Sequence, residues 1–97
     1  MDNDMNKFAK IAEVLKALSN PVRLCIVHGL LEKGSCNVSY MEKCLEVSQS
    51  GISQHLSKLK SAGIVKCERI GNEVHYAIAN DDVKKFITSI FDNFVLS

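Results

Sequence analysis

Ser48-Gln49-Ser50-Gly51-Ile52-Ser53-Gln54-His55-Leu56-Ser57-Lys58-Leu59-Lys60-Ser61-Ala62-Gly63 is the stretch whose side chains divide most cleanly into two sets. Wound at about 100° per residue with Ile52 as origin, Leu56 falls near about 40° and Leu59 near about 340°. Ser50, Ser53, Gln54, Ser57, Lys58 and Ser61 fan over roughly 100° to 240° on the opposite side. The spacing predicts an amphipathic helix over 49–62, with Ser48 as N-cap and Gly63 ending it. One face is core. The other is short and polar, and a plain solvent face would favour Glu, Lys and Ala over four serines, which are poorer helix formers.

Upstream, Ser39 followed three residues later by Glu42 reads as a capping box, predicting a short helix over 39–46 with Val47 to Gln49 as a tight link. Further back, Phe8, Ile11, Ala12, Leu15 and Leu18 recur at helical spacing over 6–18. Ser19-Asn20-Pro21 then stops that helix and starts another over 21–33, which carries Val22, Ile26, Val27, Leu30 and Leu31 and ends at Gly34. Downstream of Gly63 the period changes to two. Ile64 to Arg69 and Glu73 to Ile78 flank Gly71-Asn72, a β-hairpin signal. A last helix over 81–95, capped by Asn80 or Asp81, carries Val83, Phe86, Ile87, Ile90, Phe91, Phe94 and Val95 on one stripe.

The chain has 97 residues, 46% of them hydrophobic, which allows one domain with a modest core. Apolar runs are far shorter than the roughly 20 residues of a membrane helix, and the acidic Met1-Asp2-Asn3-Asp4 does not look like a secretory signal. The expectation is a cytoplasmic protein with no membrane partner. The net charge is only +1, yet residues 47–72 hold Lys58, Lys60, Lys66 and Arg69 against the single Glu68. That local +3 sits where phosphates would lie on the helix, link, helix and hairpin just described.

The expected fold is therefore mainly α with a small β-hairpin, a winged helix-turn-helix in the order α-α-α-α-β-β-α over residues 1–97. Its second motif helix offers Ser50, Ser53, Gln54 and Ser57, side chains short enough for the helix to lie deep in a groove and able to hydrogen-bond base edges. Gln54 suits a bidentate pair with adenine. Two readings stay open for His55 at the border of the core: a packed ring bonded to neighbouring backbone, or a contact to phosphate or base. For His75 the expectation is cross-strand packing. The long stripes on the first and last helices leave apolar area at the two ends of the domain, which predicts a homodimer built from those helices.

The segments 18–27, 47–59, 62–65 and 71–76 together resemble the arsenic-repressor (ArsR/SmtB) family of bacterial transcriptional regulators. The resemblance spans about residues 10 to 95 and implies a homodimeric repressor that binds double-stranded operator DNA, with Gln49, Ser50, Ser53, Gln54 and His55 at groove-facing positions. It puts Arg69 to Glu73, Asn72 among them, in the wing. Each recognition helix would enter successive major grooves about 34 Å apart on an imperfect inverted repeat. The family's effector sites do not carry over. Its CxC metal site falls on Asn37-Val38-Ser39, its C-terminal zinc site on Asn80, Asp82, Asn93 and Leu96, and the paired cysteines of its sulfur sensors on His28 and Val95.

Cys25, Cys36, Cys44 and Cys67 form no CxxC or zinc-finger spacing, so no metal and no cofactor is expected, and Cys44 reads as a small core residue. Cys25, on the same helix side as Glu32, and Cys36, in the loop after Gly34, are the candidates for redox control. A metal held by a non-standard Cys/His set including His28 is an alternative. An enzyme is excluded by the absence of catalytic motifs and by a chain too short to enclose a pocket of several hundred Å³. The serious rival is a winged helix used as a protein-interaction module; against it stand the serine-rich face and the absence there of exposed aromatics or leucines.

Overall fold

The computed structural model describes residues 4–45 and 48–94, without the side chain of Cys44. The expectations that touch Glu46, Val47, Val95, Leu96, residues 1–3 and the packing of Cys44 lie outside the described residues. The elements are α1 (Met5–Leu18), α2 (Pro21–Lys33), β1 (Cys36–Asn37), α3 (Val38–Leu45), α4 (Gln49–Ser61), β2 (Val65–Ile70), β3 (Glu73–Ile78) and α5 (Asp81–Asn93).

The helix starts follow from their caps. The Asn20 side chain accepts from the Val22 and Arg23 amides at 2.9 and 3.0 Å, with Pro21 already in helical φ at the first position. Ser48 Oγ accepts from Gly51 N–H at 3.2 Å and Asn80 Oδ1 from Val83 N–H at 2.9 Å. Gly34, with φ +85°, ends α2. Two apolar stripes then close on each other. Ile52, Leu56 and Leu59 of α4 are fully buried with Val27 and Leu30 of α2, Ile64 and Ile87. α1 and α2 meet at 94°, and no single described helix is long and apolar enough to cross a membrane.

The hairpin forms with the expected turn. Ile70 pairs with Glu73 and Val65 with Ile78, leaving Gly71 and Asn72 as a two-residue turn with Gly71 at φ +63°.

Three expectations are corrected. Cys36 is not in a loop: with Asn37 it forms β1, which pairs Cys36 to Tyr76 and Asn37 to His75 and completes an antiparallel sheet in the order β1-β3-β2. Cys36 is consequently buried, at 8% exposure. The capping box at Ser39 and Glu42 does not form, because α3 begins at Val38 and the amide of Tyr40 is taken by Asn37 Oδ1 at 2.8 Å. The final helix stops at Asn93, and Phe94 is extended and exposed rather than on the buried stripe.

Candidate nucleic-acid interface

Burying Ile52, Leu56 and Leu59 fixes the rotation of α4 about its axis, since side chains three and four apart share a face. Gln49, Ser50, Ser53, Gln54, Ser57 and Lys58 are accordingly all exposed. Lys60 in the last turn, Lys66 and Arg69 on β2 and Asn72 in the hairpin turn are exposed as well. Among these, the serines and Gln54 offer both donors and acceptors at the end of short side chains, the requirement for reading base edges from within a major groove. The lysines and Arg69 offer only positive donors, which suit phosphates.

His55 alone of the sequence-predicted set is half-buried, and its partner is one that the sequence reading did not single out. Arg23, at the third position of α2, is 8% exposed. Its Nε donates to the Ala17 carbonyl at 2.6 Å and its Nη1 lies 3.1 Å from His55 Nδ1. A guanidinium has only donors, so His55 Nδ1 must be the acceptor and the imidazole proton sits on Nε2. Burial first, then the charges of Arg23 and Lys58, hold the His55 pKa below its ordinary 6.5. His55 is thus a neutral imidazole of set tautomer, tied through Arg23 to the last turn of α1. Neither open reading described this: the ring is bonded to a side chain from another helix.

At the turn end of the hairpin, Glu73 Oε2 accepts from Asn37 Nδ2 at 2.7 Å and lies 3.1 Å from His75 Nε2. The Asn37 hydrogen bond is the first cause of a lowered Glu73 pKa, so the carboxylate stays charged and pins β3 to the start of α3. His75 therefore makes its polar contact along its own strand, in addition to its cross-strand place beside Glu68. At the other end of β2, Lys60 Nζ lies 3.1 Å from the sulfur of the half-buried Cys67.

Cys25 is exposed and shares with buried Cys36, His28 and Tyr40 a cavity of about 220 Å³ between α2 and α3. His28 Nε2 approaches Glu32, another lining residue, at 3.2 Å, and the ring stands edge-on to Phe91 with centroids 4.9 Å apart. No group of three or more His, Cys, Asp or Glu able to hold a metal ion occurs among the described residues.

A family model described as "Bacterial regulatory protein, arsR family" matches residues 20–66, the segment from the cap of α2 into β2. An uncharacterized HTH-type transcriptional regulator of Methanocaldococcus jannaschii is 43% identical, over 86% of this chain and 93% of its own length. The transcriptional repressor PagR of Bacillus anthracis is 38% identical over 78% of this chain and 76% of its own length. Among solved structures, a homodimeric winged helix-turn-helix DNA-binding domain from Mycobacterium bovis superposes with a TM-score of 0.86 at 30% identity. That match covers 93% of this chain and 82% of the other.

Proposed function

The chain belongs to the ArsR family of bacterial regulatory proteins, regulators of transcription and not enzymes, and from that premise we propose that it is a homodimeric repressor of an inverted-repeat operator. The observation that carries the reading is the division of α4: three side chains fully buried, and opposite them an exposed face of Gln49, Ser50, Ser53, Gln54 and Ser57 bounded by Lys58. Two copies of that face, one in each protomer, would read successive major grooves, with Lys60, Lys66, Arg69 and Asn72 on the flanking backbone. Repression follows from occupancy that blocks polymerase. A DNA target accords with a cytoplasmic protein.

Dimerisation through α1 and α5 is supported by what those helices leave uncovered. Phe8, Ile11 and Leu15 are 48%, 49% and 51% exposed, and Phe86 of α5 is 42% exposed. Large apolar side chains grouped on two helices mark an interface rather than scattered surface hydrophobics. The repressor named PagR and the homodimeric M. bovis domain agree with both halves of the reading.

The test is fluorescence anisotropy of the reduced, metal-chelated protein against DNA from upstream of its own gene. Binding at least ~10³-fold tighter than to random DNA at the same salt supports the proposal. Equal affinity for both DNAs, or none, overturns it in favour of a protein-interaction module.

A further inference from the structure

The guanidinium of Arg23 is buried with only neutral partners. Nε donates to the Ala17 carbonyl and Nη1 to the neutral ring of His55, while Nη2 makes no hydrogen bond among the described residues. No buried side-chain nitrogen or oxygen among those residues lacks a partner, so Nη2 is reached by solvent. The opening is a cavity of about 330 Å³ between α1 and α4, which Arg23 lines together with Lys16, Lys58, Ser57, Ser61 and Glu13. Three cations thus share the cavity with one carboxylate, and none of the three is in a salt bridge among the described residues. A buried charge held by neutral groups alone stays uncompensated. Free guanidinium N–H donors beside two ammonium groups and two hydroxyls are the donor set of an oxyanion site.

We propose that this cavity holds a phosphate oxyanion, and that in the operator complex the oxyanion is a backbone phosphate of the DNA. Arg23, Lys16 and Lys58 donate to its oxygens as cations, Ser57 and Ser61 as hydroxyls. The DNA backbone is the source because the cavity is continuous with the exposed face of α4: Ser57 and Lys58 belong to both, and phosphates flank a helix that lies in a groove. Glu13 and Ala17, on the α1 wall, lie about 120° to 180° around that helix from Phe8, Ile11 and Leu15, so the cavity faces away from the stripe proposed for dimerisation. The phosphate neutralises Arg23, whose hydrogen bonds to Ala17 and His55 then fix its place relative to α1, α2 and α4 at once. The inference rests on the DNA-interface reading for the source of the phosphate, but not for the oxyanion site itself.

The test is Lys16→Gln, a change at an exposed position of α1, titrated by anisotropy against upstream and random DNA over a range of salt. Affinity should fall about three- to tenfold on both DNAs and the log-affinity against log-salt slope by about one unit, because a phosphate contact carries no sequence. Ser61→Glu, which adds a carboxylate to the cavity, should cost more. Lys7→Gln removes the same charge from α1 outside the cavity and should leave the slope unchanged. Equal effects of Lys7→Gln and Lys16→Gln, or none from either, would overturn the proposal. In a second arm inorganic phosphate is titrated into the protein and read by NMR at the Arg23 Nε–H resonance, which should shift, and shift less in Lys16→Gln. A phosphate-dependent shift with unaltered DNA binding in Lys16→Gln would give the cavity to a free anion and overturn its assignment to the DNA backbone. If the unsubstituted protein binds no DNA, it is the repressor reading that fails, and the Arg23 resonance still decides the oxyanion site: no shift with phosphate removes it.

Discussion

Arg23 occupies a place that hydrophobic spacing assigns to the core: it shares one face of α2 with Ile26, Val27 and Leu30, and it is buried with them. A charge there must be partnered, and the Ala17 carbonyl and His55 are its partners. Arg23→Ala strands that carbonyl and loosens the ring, and should lower unfolding free energy by about 2–3 kcal/mol in urea titration. The lysine at Arg23→Lys keeps the charge but not the fork, and should recover only part of the loss. His55 gives a pH signature. Its folded pKa lies below 6.5, so the unfolded chain binds more protons than the folded one as pH falls through that value. Its contribution is complete above pH 6.5 and declines on acidification toward the lower folded pKa. Subtracting the stability–pH curve of His55→Gln from that of the wild type should reveal this loss; superimposable curves would remove His55 as its source. The sequence contained the signal for Arg23, a lone cation on an apolar stripe, but not its partner, because contacts 32 residues apart leave no periodicity.

At the scale of elements, legibility follows the range of the interactions that make them. Caps and tight turns act within two or three residues, so the spacing announced the Ser48 cap and the Gly71-Asn72 turn, narrowed the last cap to Asn80 or Asp81, and marked the stop and start at Ser19-Asn20-Pro21 without singling out Asn20 as the cap. β1 is two residues long, too short to alternate, and exists only because β3 offers a free edge. The same pairing displaced the expected capping box: Asn37, held in β1, caps a helix that starts at Val38, so Ser39 lies inside the first turn and cannot be its N-cap. On α4 the exposed residues that we propose face the groove were readable as exposed because burial of three leucine or isoleucine side chains sets the helix rotation. That assignment predicts a division of labour. Ser53→Ala with Gln54→Ala should weaken cognate binding by about 1–3 kcal/mol while leaving random-sequence affinity nearly unchanged. Arg69→Ala should weaken both alike and flatten the log-affinity against log-salt slope by about one unit. Equal losses on both DNAs from the α4 pair would dissociate it from base reading.

The whole molecule leaves uncovered the apolar side chains that its own core does not use. Stripe spacing alone puts Phe8, Ile11 and Leu15 of α1 and Phe86, Ile87, Ile90 and Phe91 of α5 in the same category, yet packing separates them. Ile87 is fully buried and Ile90 and Phe91 pack against the core, whereas Phe8, Ile11, Leu15 and Phe86 remain about half exposed. A charge at Phe91 would therefore damage the protomer and the dimer together. Leu15→Asp or Phe86→Asp addresses the interface alone, because a carboxylate at a half-exposed position stays hydrated in the free protomer and is desolvated only on association. Sedimentation equilibrium should show either variant as a monomer with wild-type circular dichroism. Loss of the second half-site then follows: one recognition helix engages one groove, and selective affinity should fall by at least ~10²-fold. A variant that still sediments as a dimer would move the interface away from α1 and α5, and with it the spacing of the two recognition helices on DNA.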